Sequence, residues 1–164
     1  MHVHIELIYS CVCFANVFNL NAISLRFFNV YGKGQSNAYA GVITKFLKNI
    51  NHNEPIEIFG DGNNTRDYVF VDDLIHGIFQ AIENIQGKRG TIYNLASGKS
   101  TSVNDLALLM LKISNKELEI THASPRSGDL LFSEVSITKA KNELQYKPKF
   151  NLELGLSKLL QEIE

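Results

Sequence analysis

Apolar residues occur along this chain at two periods, and the alternation between them outlines the fold. From Ile5 to Phe18 they fill most positions, broken only by a few polar residues such as Glu6 and Asn16, which predicts a helix from about His4 to Phe18. Ala22 to Phe28, rich in Ile, Leu and Phe, predicts a strand, and Asn29 to Asn37 a polar loop. Val42, Ile43, Phe46, Leu47 and Ile50 then stand at helical spacing within Tyr39–Ile50. Asn51 to Pro55 ends that helix with turn-forming residues. A short strand follows at Ile56–Phe59, and another extended run at Arg66–Val71. The intervening Gly60-Asp61-Gly62-Asn63-Asn64 is a turn, because Gly and Asn tolerate the positive φ that tight reversals need.

The second half repeats the alternation. Asp72 or Asp73 is expected to cap a helix whose buried face is Leu74, Ile75, Ile78, Phe79 and Ile82, closed by Gly87 and Gly90. Thr91 to Ala96 reads as a buried strand. Ser102 and Asp105 resemble a capping box opening a helix with Leu106, Leu109, Met110 and Ile113 on one side. Leu118 to His122 is a further strand, Ala123 to Ser133 a polar loop, and helices are expected at Ile137–Leu144 and Leu152–Ile163, separated by Pro148. Strands alternating with helices, without internal repeat or low-complexity linker, predict one continuous α/β unit.

Composition removes several function classes. Sixteen basic against seventeen acidic residues leave a formal net charge of −1 and no dense basic stripe, so nucleic acid is not an expected partner. The Ile5–Phe18 run falls short of the roughly 20 residues a bilayer span requires. No Lys or Arg precedes it, so neither a membrane helix nor a signal peptide is expected. Cys11 and Cys13 have no second pair with which to complete a zinc site, and buried free thiols fit a reducing, cytoplasmic setting. His2, His4, His52, His76 and His122 are scattered without metal-ligand spacing, so no metal site is expected.

Two arginines carry the first chemical suggestion. Arg66 follows a Gly/Asn turn and Arg126 lies in a Pro/Gly loop, and guanidinium offers forked, permanently charged donors that match phosphate oxygens. Solvated or ion-paired surface arginines would read the same from these residues alone. Asn29 places a donor and an acceptor immediately after a strand, where ligands of α/β folds bind.

Ordered motifs then bring a family into view. Leu25-Arg26-Phe27-Phe28-Asn29-Val30-Tyr31-Gly32, Ile58-Phe59-Gly60-Asp61-Gly62 and Arg66-Asp67-Tyr68-Val69-Phe70-Val71-Asp72-Asp73 stand in sequence order. Tyr93-Asn94-Leu95-Ala96-Ser97-Gly98 and Arg126-Ser127-Gly128-Asp129, with Ala140 to Pro148, follow them. Together they resemble the extended short-chain dehydrogenase/reductases that act as NAD-dependent nucleotide-sugar epimerases and dehydratases, over about Phe14 to Leu160. The resemblance implies the C-terminal part of a Rossmann-like, doubly wound α/β fold plus the small substrate-binding subdomain. Residues 1–35 would be the last helix and strand of the NAD-binding part, and residues 36–164 the substrate-binding region with interleaved Rossmann strands. It further implies that Arg66 and Arg126 contact a diphosphate, Asn29 the substrate, Phe59 the nucleobase and Asp129 the ribose, with Phe28 near the nicotinamide of NAD. Asp61 and Gly62 are assigned to turn geometry, and Asp72 and Asp73 to helix capping.

The family moves hydride with a Tyr and a Lys four residues later on one helix face. Here Tyr9, Tyr31, Tyr39, Tyr68, Tyr93 and Tyr146 are followed four positions on by Cys13, Gln35, Ile43, Asp72, Ser97 and Phe150. No Gly-rich turn near the N-terminus offers a helix end to the dinucleotide pyrophosphate. The chain is therefore expected to start within or just past the catalytic motif and to carry no catalytic residue of its own. Three departures from the family pattern accompany this: Lys33-Gly34 after the Tyr-Gly pair, Ser136 in place of Asp, and Gln145 in place of Gly. A Gln in a left-handed helix cap costs on the order of 1 kcal/mol relative to Gly.

The expected function is the nucleotide-sugar-binding portion of an epimerase or dehydratase, with UDP-sugar 4-epimerase as the closest pattern and a UDP-sugar as ligand. The alternatives are a non-catalytic nucleotide-sugar binding module or one half of a split enzyme. A homodimer or a complementing N-terminal half is the expected macromolecular partner, since the edge and faces of a parallel sheet need cover.

Overall fold

The computed structural model describes residues 2–35, 41–128 and 131–161. In chain order the elements are α1 (His2–Val17), β1 (Ala22–Phe27), β2 (Asn29–Tyr31), α2 (Val42–His52), β3 (Ile56–Phe59), β4 (Thr65–Phe70) and α3 (Val71–Glu83). They continue with β5 (Arg89–Leu95), β6 (Ser100–Ser102), α4 (Val103–Ser114), β7 (Ile120–Ala123), α5 (Thr138–Leu144) and α6 (Leu152–Gln161). The expected α/β alternation is present. Three small sheets carry it: β1 parallel to β5, β3 parallel to β7, and β2 parallel to β4, whose other edge pairs antiparallel with β6.

Side chains divide into two cores. The larger joins Ile43, Phe46, Leu47 and Ile50 of α2 to Leu106, Ala107, Met110 and Leu111 of α4, Leu156 and Leu159 of α6, and Ile56, Ile58, Tyr68 and Phe70 of the strands. Helical spacing predicted the α2 face correctly, because here the apolar stripe meets a sheet and two other helices. On α4, Leu106 and Met110 are buried as expected, while Leu109 and Ile113 are only partly covered. The smaller core joins Tyr93 and Leu95 of β5 to Leu74 and Ala81 of α3, Ala140 and Leu144 of α5, and Tyr146. Gly90 lies so close to α1 that an added Cβ would stand 2.6 Å from the Cα of Val12.

Several sequence expectations are corrected. Asn29 does not open a loop: the chain breaks step only at Phe28, leaves β5, and pairs with β4 as β2 in the register Asn29↔Tyr68. β6 is likewise a strand that its Ser-Thr-Ser sequence does not announce, since a short polar strand has no alternating apolar signature and only its pairing defines it. On α3 the buried residues are Asp73, Leu74, Gly77 and Ala81, whereas Ile75, Phe79 and Ile82 stand 46%, 60% and 59% exposed. The helix ends at Asn84, ahead of Gly87, and Gly90 lies within β5.

Asp72 and Asp73 do not cap α3, whose N-cap position is Phe70 without a side-chain hydrogen bond. Asp72 pairs with Lys158 of α6 at 2.6 Å. The buried Asp73 carboxylate accepts the backbone N–H groups of Lys149 and Phe150, at 2.7 and 2.9 Å, and so ties the approach to α6 onto α3. Asp67 acts similarly between sheets: from β4 it accepts bonds from the N–H and hydroxyl of Ser97 and the N–H of Gly98, all within 2.8 Å, fixing the turn after β5. The Ser102 cap does form, accepting the Asp105 N–H at 3.0 Å. Gln145 adopts the left-handed cap, φ 58°, that its position predicted.

Candidate functional site

The site begins with a tight reversal. Gly60 and Gly62 take φ values of 79° and 73°, and the Asp61 carboxylate accepts the backbone and side-chain N–H groups of Asn63, each at 3.0 Å. Those bonds hold the Asp61 carboxyl below its usual pKa. Asn104 of α4 donates to the Asp61 carbonyl at 2.9 Å, and a Cβ on Gly62 would collide with the Asn104 side chain. The turn expected from composition is therefore also locked to α4, and it sets Arg66, the second residue of β4, back toward the end of β3.

Parallel pairing supplies the rest. β3 and β7 end together in the register Phe59↔Ala123, so Phe59 and Arg126, three residues past Ala123, share the carboxyl end of that pair. Asn29 follows the carboxyl end of β1, where the strand changes partners. These are the positions at which α/β folds place ligands.

A cavity of about 290 Å³ opens there, lined by Asn29, Phe59, Arg66, Tyr68 and Arg126 among others, with Lys45 and Gln35 contributing from α2 and the segment before it. Four of the five residues assigned to substrate by resemblance thus share one cavity. The fifth, Asp129, lies outside the described residues. The Arg126 guanidinium carbon sits 3.7 Å from the centre of the Phe59 ring, a cation–π contact that aims the group while leaving its edge donors open. Arg66 donates one bond to its neighbour's carbonyl, Thr65 O, at 2.8 Å. Neither guanidinium has a carboxylate within ion-pair distance among the described residues. Asn29 uses one amide hydrogen on the Asp67 carbonyl at 2.9 Å, which orients its carboxamide.

The arrangement is that of an anion receptor with an aromatic floor. Arg66, Arg126 and Lys45 face a partly apolar hollow that Glu57 also lines, and neither guanidinium is held in an ion pair among the described residues. Among the described residues no group of His, Cys, Asp and Glu could hold a metal ion, and no helix is long and apolar enough to cross a membrane. Tyr68 and Tyr31 also line the cavity, and burial pushes the Tyr68 hydroxyl pKa up to about 12 and that of Tyr31 further. Sequence reasoning overlooked Tyr68, although it stands two residues after Arg66 and so on the same strand face.

Phe28 lies apart from this cavity, half-buried against the smaller core. The sequence has no Gly-x-Gly-x-x-Gly turn, and no tyrosine in it is followed four residues on by lysine.

Comparison with known proteins gives the arrangement a setting. Residues 4–96 match the model of the NAD dependent epimerase/dehydratase family. The chain is 32% identical over 149 residues to the UDP-glucose 4-epimerase of Mycolicibacterium smegmatis, covering 90% of this chain and 47% of that protein. With the dTDP-L-rhamnose 4-epimerase of Burkholderia thailandensis it shares 29% identity over 137 residues, 82% of this chain and 38% of the relative. The chain thus spans less than half the length of these curated relatives. Among solved structures, the UDP-glucose 4-epimerase of Thermotoga maritima with UDP-glucose superposes with a TM-score of 0.90 at 33% identity, over 96% of this chain and 50% of that one. The UDP-glucuronic acid 4-epimerase of Bacillus cereus, solved with UDP-glucuronic acid and NAD, gives 0.84 at 28% identity, over 94% and 49%. The fold is accordingly part of a Rossmann-like α/β architecture.

Proposed function

The chain belongs to the NAD dependent epimerase/dehydratase family, and from that premise we propose that it forms the nucleotide-sugar-binding portion of a UDP-sugar 4-epimerase-like enzyme. One observation carries the reading: Arg66, Arg126, Asn29 and Phe59, drawn from four separate segments, line a single cavity at the ends of parallel strands. In this reading the two guanidinium groups hold the pyrophosphate by charge-assisted bonds. Phe59 lies along the nucleobase, Asn29 orients the sugar side with its free amide hydrogen and carbonyl, and Asp129 takes the ribose. Residues 1–35 contribute the last helix and strand of the NAD-binding part, with Phe28 beside the nicotinamide, and residues 36–164 the substrate-binding region. Cys11 and Cys13 are not buried as expected, Cys11 being half-buried and Cys13 exposed; as free thiols they fit a reducing, cytoplasmic setting.

The chemistry is divided accordingly. This chain binds and orients; the group that moves a proton during hydride transfer, and the seat for NAD, come from a complementing α/β half of the fold. Support for that partner, in preference to a second copy, comes from β1. Its free edge among the described residues is flanked by the exposed Phe27 and by apolar faces on α1 and α3. A parallel strand edge is completed by another parallel strand together with the helices that accompany it.

Titration calorimetry with UDP-glucose, followed by an epimerisation assay with NAD, tests the reading. Micromolar binding without turnover is expected. Absence of any UDP-sugar binding would remove the proposed function, and robust epimerisation by this polypeptide alone would remove the division of labour. Binding that never yields turnover, even with a complementing half supplied, would recast the chain as a binding module.

A further inference from the structure

A carbonyl in a tight turn needs a donor or water, and the Gly60–Asn64 turn finds its donors on two neighbouring elements. From one side, Asn104 of α4 donates its side-chain amide to Asp61 O at 2.9 Å and its backbone N–H to Gly62 O at 3.1 Å. The Val103 N–H reaches Asn64 O, also at 3.1 Å. The first N–H groups of a helix have no partner within it, and α4 directs its own onto the turn. From the other side, the His122 ring of β7 brings Nδ1 to 2.8 Å from Gly60 O. A carbonyl oxygen only accepts, so the ring carries its proton on Nδ1 and donates it. The Gly60 N–H returns to Ala123 O at 2.9 Å, which ties the start of the turn to β7 a second time.

Asn104 and His122 stand behind the main cavity, outside its lining, and each borders a segment that leads to a guanidinium. Arg66 comes two residues after the turn, and Thr65 and Arg66 pair with Ser102 and Thr101 just ahead of α4. Arg126 comes four residues after His122, on the loop that leaves β7. The turn therefore links the backbones that carry the two cations. We propose that Asn104 and His122 are positioning residues: they clamp the turn between α4 and β7 and so fix the spacing of Arg66 and Arg126. The idea rests on the nucleotide-sugar reading above and adds to it the residues that pre-organise its cations. A diphosphate meets both guanidinium groups at full strength only when their spacing matches its own, whereas a nucleoside does not sense that spacing.

The experiment is calorimetric titration with UDP and with uridine, alongside thermal unfolding without ligand, on the wild-type chain, Asn104→Ala, His122→Phe, His122→Asn and Ser102→Ala. Asn104→Ala and His122→Phe are each expected to bind UDP about fivefold more weakly and uridine within about twofold of wild type. His122→Asn, which returns an N–H close to the place of Nδ1, should recover UDP affinity to within about twofold of wild type. Ser102→Ala removes the cap of the same helix without touching the clamp, so it should lower the unfolding midpoint and leave UDP affinity unchanged. Should Asn104→Ala not fold, the two His122 variants carry the test. Unchanged UDP affinity in His122→Phe or in a folded Asn104→Ala would overturn the clamp. So would an equal loss for uridine, a loss that His122→Asn does not recover, or a matching loss in Ser102→Ala, since each would mark a general weakening of the fold. A wild-type chain that binds no UDP would instead remove the parent reading, and this proposal with it.

Discussion

The body around the cavity and the β1–β5 slab are built from the same kind of amphipathic helix, yet they treat it differently. In the first, Phe46 of α2, Met110 of α4 and Leu156 of α6 are essentially sealed. In the second, Phe79 and Ile82 of α3 are 60% and 59% exposed, and α1 with the residue that follows it presents Leu7, Phe14 and Phe18 along one stripe, the two phenylalanines stacked 5.7 Å apart. An apolar stripe states only that a face wants cover. Whether it receives cover depends on which other elements reach it, and α2, α4 and α6 cover one another while the slab has one strand partner and an open edge. The cavity end is thus a covered body, and the slab leaves apolar faces open among the described residues. Asp67 and Asp73 join the two, each a buried carboxylate from the β4–α3 segment bonded to backbone on another element.

The sharpest way to break this contrast is a pair of truncations. Phe46→Ala is expected to cost about 3–5 kcal/mol in urea unfolding, whereas Phe79→Ser stays within about 0.5 kcal/mol and reduces self-association on a sizing column. Equal costs would mean that the two surfaces are not different in kind. Next in size, Asp67→Ala strands the N–H groups of Ser97 and Gly98 and should cost about 3 kcal/mol, with the loss visible in probes from both regions because the staple spans them.

The smallest effect is an alkaline one. Burial raises the hydroxyl pKa of Tyr31 and Tyr68 in the ligand body and of Tyr146 in the slab above the ordinary value of 10.0. The unfolded chain releases these protons first, so the stability they contribute is whole below pH 10 and is lost as pH climbs through the folded values. Each tyrosine should cost under about 1 kcal/mol at pH 10.5, measured by urea midpoints from pH 8 upward. A midpoint that rises with alkali would contradict the burial of these hydroxyls.

What was legible in the sequence is what local chemistry decides. The α2 face, the Ser102 cap and the Gly60–Asn64 turn follow from spacing and backbone preference, and all are present; the left-handed Gln145, also present, was implied only by the resemblance. β2 and β6 are three residues each, and only their partners make them strands. The faces of α3 and the tasks of Asp72 and Asp73 depend on segments 76 to 86 residues away, at Lys149, Phe150 and Lys158. For the site, side-chain chemistry alone left Arg66 and Arg126 as phosphate ligands or surface charges. The order of motifs singled them out, and the cavity brings them together with Asn29 and Phe59. Tyr68 went unnoticed because a tyrosine in a strand reads as core, and only its place in the cavity lining distinguishes it.

The central claim, that two guanidinium groups from β4 and from the loop after β7 meet one pyrophosphate, can be observed directly. In the ¹⁵N-resolved NMR spectrum of the arginine Nε–H groups, assigned through Arg66→Lys and Arg126→Lys, addition of UDP should shift the signals of both residues, leave Arg26 and Arg89 in place, and be mimicked poorly by uridine. Saturating UDP that leaves either the Arg66 or the Arg126 signal unmoved would contradict the account.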